Sequence, residues 1–376
     1  MTPRWPPSAV ERREPDGLTR MRSLVANLPT ALREGFAAGL ELARPARGAS
    51  PIVAVGMGGS AIAADLVRGV VEAETPAMLT VVRSPELPHG LDSRAHVILI
   101  SYSGDTWETL QAFQTARKIG AHRTVIASGG ELAERAAKED VPVLLVPSGH
   151  PPRAAVGHLL GGILGLLDPW FPESNEVRVA RISEHVRSRM GSIAHARGPA
   201  ASIAAKVGDR FPFVYAESSF LALARRWKTQ IEENAKRLAT FDEVPEVFHN
   251  SIVAWDAIRR TDGTRTAALL LEWSEAPAGL RTRLHYLQKL LAARGARAIP
   301  VLLDAEDRLE ALIAGVALGD QVSLVLAHRS GVDPYPADAI GRLKASLAAA
   351  DPNRPQDPTT KRKRPPQLAP SGAEVA

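Results

Sequence analysis

The chain has 376 residues, of which 45% are hydrophobic, and its formal net charge is +5. That length suits two domains of about 150 residues each, and the hydrophobic content is enough to fill their cores. The chain contains no cysteine, which excludes a disulfide framework, a thiolate metal site and a cysteine nucleophile. No His, Asp and Glu cluster has metal-ligand spacing, so we expect no metal and no cofactor.

The basic character is partly concentrated in residues 351–376, which contribute +2 of the +5 and leave +3 on the rest of the chain. That remainder is too small to require nucleic acid. The basic run at residues 361–364 stands among Pro, Gln and Thr. Residues 349–376 are therefore predicted to be a disordered basic tail, with an anionic partner for it as the alternative.

Nothing in the sequence predicts export or membrane insertion. The N-terminus has no apolar signal core, and no run of about 18 uncharged apolar residues is present. We therefore expect a cytoplasmic protein that does not bind membranes.

The first 168 residues are predicted to form a helical segment followed by an α/β domain. Residues 1–40 are predicted to be a helical segment, since the helical pattern covers residues 9–45, and Pro29 ends one helix and starts another. In residues 41–168, apolar strands alternate with helices, which predicts a parallel sheet with helices on both faces. The strand candidates are residues 52–55, 79–82, 96–100, 124–127 and 143–146, and the helix candidates are residues 61–74, 106–119, 130–138 and 154–167.

A second α/β domain is predicted at residues 177–348, after a boundary at residues 168–176. It begins with a connecting helix at residues 177–197 and repeats the alternation. The strand candidates are residues 213–216, 266–271, 298–303 and 322–326, and the helix candidates are residues 220–237, 281–294 and 306–318. Two similar halves, each a parallel sheet flanked by helices, are the predicted architecture.

Two strand ends carry turns that suit a phosphate group. The first turn, residues 56–60, is Gly56-Met57-Gly58-Gly59-Ser60, and the second turn, residues 101–106, contains Ser101, Ser103 and Thr106. Capping the next helix needs one hydroxyl, so three exceed that requirement. Because neighbouring strands of an open α/β sheet form the ligand crevice at their carboxyl ends, we expect Ser60 and these hydroxyls to converge on one dianion.

The first turn has two other interpretations. It is also typical of a tight strand-to-helix turn, and with Ala61 it matches the G-x-G-x-x-A fingerprint of dinucleotide-binding proteins. For NAD, the next strand should end in Asp or Glu. It ends at Arg83, which suits only the 2′-phosphate of NADP. An NADP-dependent oxidoreductase is therefore an alternative.

Charged residues at three later positions are candidates for chemistry. Arg153 stands at the start of an apolar helix. Its side chain either extends to water or accompanies a bound anion. The anion is suggested because a cation at a helix N-terminus opposes the helix dipole. Glu232 and Glu233 are about 100° apart on a helix, so one can face a crevice while the other faces water. His249 is either a satisfied core residue or an acid/base group that titrates near neutrality.

These motifs occur together and in order. They are Gly58-Gly59-Ser60, the second turn, Pro152-Arg153-Ala154-Ala155, the run from Lys228 to Lys236, and Pro245-Glu246 followed by His249-Asn250. As an ordered set they resemble the bifunctional phosphoglucose/phosphomannose isomerases, which are built from two sugar-isomerase (SIS) domains. The resemblance extends over roughly residues 10–348.

The resemblance implies two SIS-type, flavodoxin-like domains and the interconversion of glucose 6-phosphate or mannose 6-phosphate with fructose 6-phosphate, in glycolysis and gluconeogenesis. It implies a homodimer whose active site draws on the partner subunit. The residues that match the family motifs are Gly59, Ser60, Ser101, Ser103 and Thr106 for the phosphate, Glu233 as catalytic base, His249 and Lys344 for ring opening, and Arg153 near the reacting end of the sugar.

Two of the departures from the family pattern bear on substrate binding. Asp105 adds a negative charge beside the proposed phosphate, which weakens binding if it points inward and is harmless if it points outward. Tyr335 replaces a smaller residue, and its bulk narrows tolerance for the mannose epimer if it faces C2 of the sugar. A sugar-phosphate-binding regulator without catalysis is a further alternative, because the phosphate-binding turns alone suffice for it.

Overall fold

The structure is a computed structural model that describes residues 16–42 and 50–350. Contacts divide the chain after Pro336 into two compact units. The first unit contains two sheets with their helices, and the described part of the second is one helix, α14 (Asp338–Ala350). The tail was predicted at residues 349–376, but residues 349 and 350 belong to α14. Its remainder, residues 351–376, and the side chain of Lys344 lie outside what the structure describes.

The first sheet has the strand order β2-β1-β3-β4-β5, and all its strands are parallel. Strands β1 and β3 are buried along their whole length, as expected where helices cover both faces. The elements of this half are α1 (Asp16–Ala26), α2 (Leu28–Glu41), β1 (Ile52–Gly56), α3 (Gly58–Glu74), β2 (Leu79–Val82), β3 (His96–Ser101), α4 (Trp107–Lys118), β4 (His122–Ala127), α5 (Gly130–Lys138), β5 (Val143–Leu145) and α6 (Val156–Leu167).

The second sheet has the order β7-β6-β8-β9 and is also parallel throughout. The predicted α/β fold with two parallel sheets is therefore confirmed. The elements of this half are α7 (Glu176–Ala194), α8 (Pro199–Val207), β6 (Phe211–Glu217), α9 (Leu221–Ala235), β7 (Thr240–Val244), α10 (Ser251–Ala257), α11 (Arg260–Gly263), β8 (Thr266–Trp273), α12 (Ala278–Ala293), β9 (Arg297–Leu303) and α13 (Arg308–Ser330).

The predicted strand at residues 322–326 is wrong, because these residues belong to α13. A short apolar run does not distinguish a buried strand from a fully buried helix. Helix α13 is long and apolar enough to cross a membrane by length and composition, yet 83% of its most apolar window is buried inside the protein. Its apolar character therefore reflects its position in the core.

Buried His96 predicts a loss of stability in acid. Its ring contacts Thr124 Oγ1, on the neighbouring strand β4, at 2.8 Å and leaves Nδ1 without a partner among the described residues. Burial, reinforced by His122, lowers the pKa of His96 from 6.5 to about 4. In the unfolded chain His96 is protonated below about pH 6.5, whereas in the folded protein it is protonated only below about pH 4. The free energy of unfolding should therefore fall by about 3 kcal/mol between pH 6.5 and pH 4 because of His96.

Urea unfolding of the wild type and of His96→Gln at pH 7 and pH 4.5 tests this expectation. The substitution removes the titrating group, so any advantage of the wild type at pH 7 should shrink by roughly 2–3 kcal/mol at pH 4.5. An advantage that is constant with pH would contradict the account of His96.

Candidate active site

The first turn, residues 56–60, joins β1 to α3 at the carboxyl edge of the first sheet. Met57 is extended, and α3 begins at Gly58, whose φ of +51° favours glycine. Ser60 is 5% exposed, and its Oγ lies 3.4 Å from the backbone nitrogen of Tyr102. This contact places Ser60 directly beside the second turn, as the shared sheet edge predicts.

The second turn, residues 101–106, holds its hydroxyl groups in a defined arrangement. Ser101 Oγ donates to Thr106 Oγ1 at 2.9 Å and accepts from the nitrogen of Gly104 at 3.1 Å. Gly104 has a φ of +76°, and a Cβ there would lie 1.9 Å from the carbonyl oxygen of Gly129. Thr106 is the N-cap of α4, but its side chain makes no capping bond. The hydroxyls of Ser101 and Thr106 are thus bonded to each other within the turn, and that of Thr106 does not cap α4.

The Asp105 carboxylate is not bonded to these hydroxyl groups, and its partner is a backbone nitrogen of α5. Its Oδ1 accepts a hydrogen bond of 3.0 Å from the nitrogen of Glu131, in the first turn of α5. A carboxylate at a helix N-terminus is stabilised by the unpaired N–H groups and the helix dipole. The Asp105 carboxylate therefore serves as a cap for α5.

Arg153 lies in a 3₁₀ turn at residues 152–155, against the first turn. A Cβ on Gly59 would lie 3.3 Å from the carbonyl oxygen of Pro152 and 3.4 Å from Cα of Arg153, so glycine permits this close approach. Arg153 is only 3% exposed, which excludes the interpretation that its side chain extends to water. Burial lowers the pKa of Arg153, and the nearby Glu233 carboxylate opposes that shift.

The guanidinium of Arg153 joins the two halves of the first unit. Nε donates to Asn234 Oδ1 at 2.7 Å, and Nη2 donates to the carbonyl oxygens of Pro334 at 2.5 Å and Tyr335 at 3.0 Å. Nη1 lies 3.4 Å from Glu233 Oε2. Three of the four contacts hold the group rigidly, and Nη1 alone faces the carboxylate.

The two adjacent glutamates of α9 have different partners. Glu232 Oε2 pairs with Lys228 Nζ, one turn earlier, at 2.6 Å. Glu233, with 31% of its side chain exposed, faces Arg153 instead. The structure thus brings Glu233, Arg153 and the first turn together, and the carboxylate is reachable from solvent.

Behind Arg153 lies a buried polar network that the sequence analysis missed. Arg226 donates to Asp320 through Nε at 3.0 Å and Nη2 at 2.6 Å, and Nη2 also donates to the carbonyl oxygen of Arg153 at 3.1 Å. Asn234 Nδ2 donates to Ser323 Oγ at 2.9 Å. Burial raises the pKa of Asp320, and the paired guanidinium of Arg226 opposes that shift. This network therefore holds both the backbone carbonyl of Arg153, through Arg226, and its guanidinium, through Asn234.

The segment at residues 334–336 also contacts the site. Besides the bonds to Arg153, the carbonyl oxygen of Pro336 accepts from Lys236 Nζ at 2.6 Å. The hydroxyl of Tyr335 accepts from Arg20 Nη2 at 2.9 Å and lies 3.4 Å from the carbonyl oxygen of Gly149. Helix α1 therefore helps to fix the Tyr335 ring, a role of Arg20 that no sequence motif indicated.

His249 is not brought to Glu233 within one chain. Strands β6 and β7 are parallel neighbours joined by α9, so α9 runs back along the sheet and ends at the edge where β7 begins. Glu233 is near that edge, whereas His249 follows the other end of β7. The five residues of β7 separate these edges by about 13 Å.

The His249 ring is exposed and makes no hydrogen bond or ion pair with the described residues. It is therefore not a satisfied core residue. Within residues 16–42 and 50–350, no three His, Asp or Glu side chains are grouped so that they could hold a metal ion.

Comparison with solved structures identifies the class of fold. The C-terminal domain of glucosamine-fructose-6-phosphate aminotransferase from Francisella tularensis superposes with a TM-score of 0.67 at 15% identity, covering 84% of this chain and 98% of that one. The family described as bacterial phospho-glucose isomerase C-terminal SIS domain matches residues 196–347. The class is thus that of proteins with SIS domains.

Curated relatives identify the family. The chain is 31% identical over 334 residues to the bifunctional phosphoglucose/phosphomannose isomerase of Caldicellulosiruptor bescii, which covers 86% of this chain and 98% of that protein. It is 32% identical over 299 residues to the protein of the same name from Aquifex aeolicus, with coverage of 79% and 90%. The chain belongs to the bifunctional phosphoglucose/phosphomannose isomerase family, which confirms the resemblance found in its motifs.

Proposed function

We propose that this protein interconverts glucose 6-phosphate and fructose 6-phosphate, and mannose 6-phosphate and fructose 6-phosphate, by proton transfer through a cis-enediol. The main support is the 3.4 Å contact between Arg153 and Glu233, adjacent to the hydroxyl-rich turns. A cytoplasmic location stays a prediction from the sequence.

In the proposed mechanism, the carboxylate of Glu233 removes the proton from C2 of the open-chain aldose. The electrons of the C–H bond form the C1–C2 double bond, and the carbonyl oxygen O1 takes the negative charge of an enediolate. Return of the proton to C1, with exchange of the hydroxyl proton between O2 and O1, gives the ketose. One carboxylate therefore serves both transfers.

Arg153 supports this reaction by electrostatic stabilisation. Its Nη1 faces Glu233, and its other nitrogens are bound to protein oxygens. A guanidinium that is already oriented and largely buried stabilises a developing oxyanion without reorganising. We assign Arg153 to the enediolate oxygen, within reach of the same carbons that Glu233 deprotonates.

The two turns are assigned to the 6-phosphate. At the start of α3, Gly59 supplies a backbone N–H group and Ser60 its hydroxyl, and the second turn supplies Ser101, Ser103 and Thr106. Binding the remote phosphate orients the reacting carbons against Glu233. Because Asp105 caps α5, its charge is not directed at this phosphate.

A homodimer with a shared active site is part of the proposal. Within one chain His249 and Glu233 are at opposite edges of a sheet, so a ring-opening role for His249 beside Glu233 needs a second subunit. Near His249, the apolar side chains of Val253 and Tyr286 are 69% and 58% exposed. Exposed apolar residues of this kind are typical of subunit interfaces. Lys344 is assigned to ring opening by its match to the family motif.

A heterodimer of two inactive variants tests this arrangement. Glu233→Gln and His249→Ala chains carrying different affinity tags are co-expressed, and the mixed dimer is isolated through both tags. One of its two sites would combine the intact Glu233 of one chain with the intact His249 of the other. We expect about half of the wild-type activity in that dimer and little in either homodimer. An inactive mixed dimer would contradict a shared site.

The function itself is tested with a coupled assay of fructose 6-phosphate conversion. Turnover to glucose 6-phosphate and to mannose 6-phosphate is measured separately with specific dehydrogenase couples. Saturable binding of fructose 6-phosphate without turnover would favour the non-catalytic regulator instead. A requirement for NADP in the conversion itself would favour the oxidoreductase.

A further inference from the structure

A groove of about 970 Å³ lies between α1, α7, α8 and α13, and it contains none of the residues assigned above to the sugar phosphate. Its walls carry Arg22, Arg197 and Arg329 together with two histidines, and no Asp or Glu lines it among the described residues. A concave surface lined by cationic side chains and, among the described residues, by no carboxylate favours an anionic ligand.

Two of these arginines have guanidinium groups available to a ligand. The side chains of Arg197 and Arg329 make no hydrogen bond or ion pair with the residues that the structure describes, and both are exposed. Arg197 also lies two residues before the start of α8, whose first turn contains no acidic residue. The positive charge of Arg197 is unfavourable beside the positive end of the α8 dipole. A bound anion would interact favourably with both.

A nearly buried amide on α13 points to the same conclusion. Gln321 is 3% exposed and lines the groove, yet its side chain has no hydrogen-bond partner among the described residues. Its amide atoms are not among the polar atoms that are shut off from solvent without a partner, so the amide is open to the groove that the residue lines. A ligand in the groove would give this amide a hydrogen-bond partner.

The remaining lining indicates the chemical class of the ligand. Small apolar residues, among them Ala194, Ala201 and Val325, form part of the wall. The volume is within the range of pockets that hold small organic ligands. A ligand with two or more negative charges and an uncharged organic group therefore fits better than a simple ion.

We propose that this groove is a second binding site, for a small organic di- or triphosphate. Arg197 and Arg329 bind its phosphate groups, Gln321 donates a hydrogen bond to it, and the apolar wall contacts its organic group. The proposal does not depend on the isomerase activity.

The test uses the full chain with its sugar-phosphate site saturated by fructose 6-phosphate, and calorimetric titration with ATP and with inorganic pyrophosphate. We expect saturable binding of both, with ATP the tighter because of its organic group. Arg197→Ala/Arg329→Ala should weaken both at least about tenfold. Gln321→Leu should weaken binding several-fold without changing the charge.

A matched control separates the groove from general charge effects. Arg265→Ala/Arg297→Ala removes the same charge at two exposed arginines outside the groove and should leave the affinities unchanged. An absence of saturable binding, or equal weakening by the control pair, would overturn the proposal. Equal affinity for ATP and pyrophosphate would refute the part played by the organic group. Each of these outcomes leaves the isomerase assay unaffected.

Discussion

Glu233→Gln is expected to lower turnover of fructose 6-phosphate at least about a hundredfold, the usual range for loss of a general base. Glutamine keeps the shape of the side chain and its place beside Arg153, but its amide does not accept a proton. The phosphate-binding turns are untouched, so KM should change only a few-fold. Steady-state kinetics in the coupled assay measure both quantities.

Glu232→Gln is the matched control for that measurement. It removes the same charge one residue earlier, at a carboxylate that pairs with Lys228 instead of Arg153. We expect turnover close to that of the wild type, because the pair is partly exposed and exposed i,i+4 pairs contribute only about 0.5 kcal/mol to stability. Equal loss of turnover in the two variants would show that Glu233 has no special role.

Asp320→Asn is expected to cost about 3–5 kcal/mol of the free energy of unfolding, because it leaves Arg226 buried without its carboxylate. Arg226 is 1% exposed and also donates to the backbone of Arg153. Asp320 therefore acts as a positioning residue. We expect kcat to fall while KM changes little, since Arg153 moves relative to the reacting carbons. Urea unfolding and steady-state kinetics measure the two effects.

The control for Asp320 is an ion pair on the surface. Asp262→Asn removes the partner of Arg259, whose side chain is 81% exposed. Exposed pairs contribute about 0–1 kcal/mol, so this substitution should have little effect on stability and none on kcat. If Asp320→Asn were as mild as Asp262→Asn, the buried network would not position Arg153.

Much of the fold could be predicted because its signals are local. Apolar runs that alternate with helical patterns identified all five strands of the first sheet, and strands β6, β8 and β9 of the second. Strand β7 was missed, since Asp242 and Glu243 interrupt its pattern and only Val244 is buried. Residues 322–326 were assigned to a strand because a helix buried on all sides shows no 3.6-residue periodicity.

The candidate site also has one part that could be predicted from local sequence patterns and another part that could not. The two turns and Glu233 lie in recognisable motifs, so their residue types could be selected from the sequence. The pairing of Arg226 with Asp320 could not, because the two residues are 94 positions apart and each is unremarkable on its own helix. The contact of Arg20 with Tyr335, across 315 positions, is of the same kind. Such contacts depend on how helices pack, which no local pattern specifies.

The most direct test is a crystal structure of the protein with a five-carbon phosphosugar hydroxamate that mimics the enediolate. The account predicts the phosphate within hydrogen-bonding distance of Ser60, Ser101, Ser103 and Thr106, the hydroxamate oxygens beside Arg153, and the Glu233 carboxylate next to the carbons equivalent to C1 and C2. A phosphate bound away from the two turns, or a Glu233 carboxylate remote from the hydroxamate, would contradict it.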